Sequence, residues 1–419
     1  MSPIQAHPPV RVFIAGGSYA GLSSALNLLD IAEGLTPRVA REPHVHHPDL
    51  PKFDIEITVV DERDGFYHLI GTPLALCDAE YSKKAWVKFS DVPSLDHPSI
   101  KVLQGSVTHV DCETKKATVV DHASKEAAMY EYDYFIAASG LRRVWPVAPR
   151  ALTRKQYLIE ASELIHTVDN AKDGVVVVGG GAVGIEVAAE LKLVKPHVNV
   201  TLVHSRDKLL SSEGLSEECK DKALELLLES GVEVLMGHRL KESKPVDNGD
   251  GAPRFEILFT NGKTMVASEV IMAISKSVPT TTYLPTSALD EEGLVKIRPN
   301  LKLPQETPNS EYHFCAGDAV LWSGIKRCGG AMYMGWISAN NIHQSILRDF
   351  VGHKPKFFEM QPTPPMIGLA VGKQAVSYGP EVGTAWGEDV MQAYFNNDLG
   401  FDICWNYMQL SGRKDEVKV

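Results

Sequence analysis

Three glycines, Gly179, Gly181 and Gly184, stand at G-x-G-x-x-G spacing directly after four valines, Val175 to Val178. Such a turn does phosphate chemistry. The first glycine allows the tight bend, the second lets the backbone approach a pyrophosphate, and the third lets the next helix pack closely on the strand. The N–H groups and partial positive charge at that helix's N-terminus complete an anion site. A second copy opens the chain, where Gly16, Gly17, Ser18 and Gly21 follow the apolar run Val10–Ala15. Ser18 replaces the middle glycine; it is small, and its hydroxyl can donate to a phosphate. Two nucleotide turns imply two nucleotide ligands, the layout of a flavoprotein that takes hydride from a nicotinamide.

Each turn needs a second strand whose end meets the ribose. In the first unit Asp54–Val60 leads into Asp61, a carboxylate able to accept from ribose hydroxyls. In the second, Val198–Val203 ends in His204-Ser205-Arg206, with no acid before Asp207. A carboxylate repels a 2′-phosphate, whereas Ser and Arg can hydrogen-bond one. His204 and Arg206 are therefore read as facing the cofactor, and NADPH is expected to serve at least as well as NADH. Glu311–Ala319 closes on Gly317-Asp318, where small residues admit a cofactor and Asp318 can bind a polyol hydroxyl. Tyr132–Ala138 runs into Ser139-Gly140, where the chain leaves the first unit.

The elements around these residues follow from pattern. Four valines in a row read as a strand buried on both faces, as in a parallel sheet. Lys101–Thr108 and Lys116–Val120 read as further strands, and Glu160–Asn170, Ser216–Ser230 and Gly335–Leu347 as helices. Phe255–Thr260 and Val266–Ile274 read as a strand pair around Asn261-Gly262. The proline-rich stretch Lys354–Pro365 starts a C-terminal unit with strands at Met366–Val371 and Ala375–Tyr378. Phe401–Leu410 is apolar and aromatic. Without a basic face it is expected to pack within the molecule or against a second copy rather than on a membrane. Leu35–Phe53, with His44, His46 and His47, reads as a solvated loop, because no Cys or further His follows at ligand spacing.

Composition narrows the function. At 419 residues the chain is long for one core, so two or three domains are expected. A net charge of −11 disfavours nucleic acid as a partner. No apolar run follows Met1 and residue 2 is Ser, so a signal peptide, a stable membrane anchor and N-myristoylation are not expected, and a cytoplasmic location is. None of the six cysteines lies at CxxC or CxxxxC spacing, so buried thiols are expected rather than a redox disulfide beside a flavin.

Taken in order, GGSYAG, VVDERDGFYH, SKKAW, FIAASG, GGGAVGIE, TLVHSR and CAGDA resemble the apoptosis-inducing-factor-like flavoproteins. Within them the likeness is to the branch of ferroptosis suppressor protein and its fungal relatives, over nearly the whole chain. The resemblance implies an α/β fold of two Rossmann-like dinucleotide-binding domains plus a small C-terminal α+β domain. The FAD domain would be split over 9–150 and 286–350, with the NAD(P)H domain at 151–285 and the last domain at 351–419. FAD would be held through Gly16, Gly17, Ser18, Gly21, Asp61, Val107, Gly140, Gly317 and Asp318. NAD(P)H would be held through Gly179, Gly181 and Gly184.

A Lys–Glu pair beside the flavin in that family matches Lys84 and Glu186, with Lys83 as the alternative lysine. No metal is required. The implied activity passes hydride from NAD(P)H to flavin and on to a small acceptor, a quinone first among them. The alternatives are an oxidase using oxygen or a small organic substrate, and a slow-turnover flavin-bearing signalling protein. A homodimer stays open.

Overall fold

The structure, a computed structural model, describes residues 8–39, 44–247, 253–274 and 277–413. Its larger sheet has seven strands, in the order His313–Cys315, Tyr134–Ala137, Val10–Ala15, Ile55–Asp61, Ile100–Asp111, Lys116–Asp121, Ala127–Glu131. The first five run parallel, and the last two fold back antiparallel as a hairpin extension. The smaller sheet is wholly parallel, in the order Glu233–Leu235, Val200–Val203, Val175–Val178, Glu269–Met272. All four valines of its central strand are buried, as helices on both faces of a parallel sheet require. The α/β class with two dinucleotide-type sheets is the one the glycine turns implied.

Helix Tyr19–Ala32 is buried over its whole length, because the sheet covers one side and helix Cys328–Val351 the other. The two helices meet at a small-residue contact. Ser23 Oγ donates to the Met332 carbonyl at 2.7 Å. A Cβ on Gly335 would sit 2.5 Å from the Ala20 carbonyl oxygen and 2.7 Å from Ser23 Cβ. The long helix begins at Cys328, two turns before the expected Gly335. Gly329 and Gly330 disfavour helix by propensity, and tertiary packing overrides them.

Other expectations shift in detail. Val266–Ile274 is two strands rather than one. Thr264–Ala267 pairs with Phe255–Phe259 around the Asn261-Gly262 turn, and Glu269–Met272 crosses to the parallel sheet. The break is at Ser268, whose N–H donates to the Gly174 carbonyl while its Oγ accepts from Asp173 N–H. The histidine loop is not simply solvated. His44 lies edge-on to His46 at 4.5 Å and tilted against His343 of the long helix at 5.6 Å, and His47 lies 5.0 Å from His353. Among the described residues no group of three His, Cys, Asp or Glu is placed to hold a metal.

Between the two sheets the chain crosses twice, side by side. Leu141–Arg143 leaves the first unit and Ser277–Pro279 returns to it, paired antiparallel. The C-terminal part is a three-stranded antiparallel meander, Ile367–Val371, Gln374–Gly379 and Gly383–Gly387, followed by helices Glu388–Tyr394 and Phe401–Tyr407. Phe401, Cys404, Met408 and Leu410 turn into the core around the first sheet, while Ile403 and Tyr407 face outward.

Gly335→Ala places a methyl against backbone that cannot yield, so it should cost about 1–3 kcal/mol as overpacking. Denaturant unfolding would measure it. An unchanged midpoint would mean the two helices part more easily than this contact allows.

Candidate functional site

The first glycine turn follows directly from the end of strand Val10–Ala15. Gly16 has φ +117°, and a side chain there would run into the Ala138 carbonyl. A Cβ on Gly21 would run into the Gly16 carbonyl oxygen, so the helix can start this close only with glycine. Asp61 Oδ2 accepts the Gly17 N–H at 2.7 Å, and Oδ1 accepts the Arg63 N–H at 2.8 Å. Burial pushes the Asp61 carboxyl upward, against the opposing charge of Arg63. Ser18 is the N-cap residue, yet its hydroxyl bonds none of the helix's N–H groups. The opening N–H groups of the helix have no intrahelical partner. That uncapped end fits a pyrophosphate.

The second turn repeats this geometry. Gly179 has φ +125°, with the Ala273 carbonyl oxygen 2.5 Å from where a Cβ would be. Gly184 is pressed against the Gly179 carbonyl as Gly21 is against Gly16. Gly181 caps helix Ala182–Val194 with no side-chain bond, and the space beyond its Cα is open. Here the strand-end residue is His204. Its Nδ1 accepts the Gly180 N–H at 3.1 Å, so the ring proton lies on Nε2, which faces Ser211 Oγ at 3.2 Å. Burial holds the imidazole below its ordinary pKa, in the neutral form this bond needs. His204 thus does for Gly180 what Asp61 does for Gly17. Arg206 is exposed, its Nη1 3.2 Å from the same Ser211 Oγ.

Gly317 (φ +87°) follows strand His313–Cys315, and its N–H donates to Met334 Sδ at 3.3 Å. Asp318 beside it accepts from Arg143 at 3.3 Å. Both line a cavity of about 470 Å³ whose walls include Trp322, Tyr333, Met334, Met360 and Met366. Gly140 (φ +69°) and Ser139 are tied to the returning connector, since both their carbonyls accept from Thr280 Oγ1. Val107 lies in the antiparallel extension opposite Val119, just before a bulge.

The expected Lys84–Glu186 pair is corrected. The Lys84 ammonium binds Asp398 at 2.8 Å and Asp402 at 2.9 Å and lies 5.0 Å over the Phe401 ring. Lys83 pairs with Glu80 instead. Glu186 Oε1 accepts the Ala370 N–H at 3.3 Å. The reason is the C-terminal unit, which reaches both places: its helix takes the lysine and its meander takes the glutamate.

A buried pair went unread in the sequence. His68 Nε2 donates to the Leu399 carbonyl at 3.0 Å, which leaves Nδ1 to accept from Tyr19 OH at 3.1 Å. Burial lowers the His68 pKa to about 4. Position alone hinted at it: Tyr19 follows Ser18, and His68 closes the segment after Asp61.

Comparison with known proteins places this geometry. A family profile described as "Pyridine nucleotide-disulphide oxidoreductase" matches residues 10–335. The chain is 50% identical over 407 residues to "Oxidoreductase OXR1" of Ajellomyces capsulatus, covering 96% of this chain and 88% of that one. It is 24% identical over 352 residues to "Ferroptosis suppressor protein 1" of Xenopus laevis, covering 83% of each. Its fold resembles the sulfide:quinone oxidoreductase of Aquifex aeolicus with a TM-score of 0.66 at 18% identity, over 96% of this chain and 92% of that one. Among the described residues no helix is long and apolar enough to cross a membrane.

Burial pushes Glu186 up to about 8, so the folded chain keeps a proton there that the unfolded chain releases near its ordinary value. That stability is full below the ordinary carboxyl range and is lost as pH rises through about 8. Glu186→Gln, which is neutral throughout, should flatten the fall in stability between pH 5 and 9. It should leave the variant relatively more stable at the alkaline end, where the wild-type carboxyl gives up its proton. Glu190, also pushed to about 8, keeps part of the slope. Parallel pH profiles of melting for the two proteins would overturn this assignment.

Proposed function

The chain belongs to the pyridine nucleotide-disulphide oxidoreductase family, in its apoptosis-inducing-factor-like branch, and on that premise we propose that it delivers electrons from NAD(P)H to a quinone-like acceptor. It is a flavin-dependent NAD(P)H oxidoreductase with FAD and NAD(P)H as cofactors. Bound FAD supplies a carrier that takes hydride from the nicotinamide and passes electrons on. The first turn, with the Ser18 hydroxyl and the start of helix Tyr19–Ala32, is assigned to the FAD pyrophosphate. Asp61 and Asp318 are assigned to its hydroxyl groups. The second turn is assigned to the pyrophosphate of the nicotinamide cofactor. The inserted unit is taken to lie between the paired connectors.

The observation that carries the acceptor reading is the cavity beside Gly317-Asp318. Its aromatic and thioether wall of Trp322, Tyr333, Met334, Met360 and Met366 suits a flat, apolar ring, and Lys326 and Arg327 in its lining are donors for that ring's oxygens. A short-chain ubiquinone analogue should sustain NAD(P)H consumption anaerobically. Reduction of the flavin without turnover of the quinone would reject the acceptor while leaving the reductase. Consumption that needs oxygen would favour an oxidase.

Asp318→Ala removes an acceptor for a flavin hydroxyl, and hydrogen bonds to charged groups are worth about 1.5–3 kcal/mol. Flavin content of the purified protein should fall sharply, and full occupancy would remove Asp318 from the site.

Cofactor choice follows from the second strand end. His204 supports the turn without a negative charge, so nothing there repels a 2′-phosphate. Arg206 is exposed, its side chain meets Ser211 Oγ among the described residues, and it can swing to such a phosphate. A charge-assisted contact at an exposed position is worth about 1.5 kcal/mol, roughly tenfold in affinity. Arg206→Ala should lower kcat/KM for NADPH by that factor and leave NADH unchanged. Equal losses with both, or a wild-type preference of tenfold or more for NADH, would overturn it.

A further inference from the structure

We propose that Cys328 and Cys404, 76 residues apart, form a reversible dithiol–disulfide site oxidised by hydroperoxides. Their sulfurs lie 3.9 Å apart, although nothing in the sequence spacing pairs them. A disulfide needs about 2 Å, so the gap closes by about 2 Å through side-chain rotation at two helix positions.

The two sulfurs are not equivalent. Cys328 is the first residue of the long helix Cys328–Val351, whose N-cap Arg327 makes no side-chain bond to it. A helix N-terminus favours thiolate. The Cys328 sulfur also accepts from Cys404 and from the Gly329 N–H, and its thiol is held below the ordinary value. Cys404 sits in helix Phe401–Tyr407 at 3% exposure, with its thiol pushed up by Cys328 and by burial. Cys328 is partly exposed, and among the described residues the space beside Gly329 and Gly330 is open, so a small peroxide has a way in. One sulfur is therefore the attacking thiolate and the other the buried resolving thiol.

The steps balance. The Cys328 thiolate attacks the outer oxygen of ROOH, the O–O bond breaks, and with one proton Cys328–SOH and ROH result. The Cys404 thiol attacks that sulfur, the S–O bond breaks, and a Cys328–Cys404 disulfide and water leave. Two thiols have lost two electrons and the peroxide has gained them. A dithiol reverses the bond by exchange. The product staples the C-terminal helix to the start of the long helix, next to Arg327, Gly329 and Gly330 of the cavity wall. Oxidation thus fixes one side of the cavity.

The test treats FAD-loaded protein with a few equivalents of cumene hydroperoxide, then alkylates it unfolded and maps its peptides without reductant. We expect two fewer alkylated thiols than the six of the reduced chain and a single linked peptide joining Cys328 to Cys404. A melting point raised by several degrees should return to its starting value with dithiothreitol. Cys404→Ser should stop at a Cys328 sulfenic acid captured by dimedone, and Cys328→Ser should give no adduct at Cys404. Full alkylation of both thiols in treated wild-type protein with a native flavin spectrum would overturn the proposal. So would a link between any other two cysteines.

Discussion

One hydrogen bond recurs at both nucleotide turns, and the rest of each unit is arranged around it. The N–H of the residue after the first glycine is held by the side chain at the end of the neighbouring strand: Gly17 by Asp61, Gly180 by His204. A bent backbone with an unpaired buried N–H would cost about 1–3 kcal/mol. The bond therefore does two tasks, satisfying the turn and fixing how far the second strand runs beside the first. From that follow the closeness of helix to strand, which only Gly21 and Gly184 allow, and the outward face of the helix N-terminus. The same geometry accepts a charged or a neutral partner. That freedom lets the second unit drop its carboxylate without losing its shape.

What the sequence disclosed was local. Glycine spacing after an apolar run specifies strand, turn and helix within about twenty residues, so both turns were legible, as were the Asn261-Gly262 hairpin and the first two strands of the C-terminal meander, though not its third, Gly383–Gly387. What it hid depended on partners far along the chain. The long helix hides its first two turns behind Cys328, Gly329 and Gly330, because poor helix formers read as a break, while the Met332 carbonyl in that stretch is held by Ser23 from far along the chain. The role of His204 was hidden too, since an absent acid reads as a gap until the imidazole is seen doing the same work. The Tyr19–His68 bond and the approach of Cys328 to Cys404 join segments that no spacing relates.

The Lys84–Glu186 expectation failed for the same reason. The resemblance matched the two residues to a family pair by motif alone, but a third element supplied other partners. The C-terminal unit fills the angle between the two nucleotide units, with Asp398 and Asp402 meeting Lys84 and Ala370 meeting Glu186. Phe401 stacks on Trp405 at 5.5 Å and meets His68 edge-on at 5.3 Å, so the wedge is held by packing as well as by charge. Burial favours the protonated form of Glu186, while the Ala370 N–H opposes it by favouring the carboxylate.

The two connectors lie side by side, Arg142 opposite Val278, with Thr280 reaching back to Ser139 and Gly140. The stretch of chain between them therefore begins and ends about 5 Å apart, one strand spacing. Cutting it out would leave ends that a short turn can join, with no strand of the larger sheet displaced. The stretch is nonetheless not loose beside its host, because Tyr157 and Ala161 within it share a buried cluster with Tyr67 and Trp86 of the first unit.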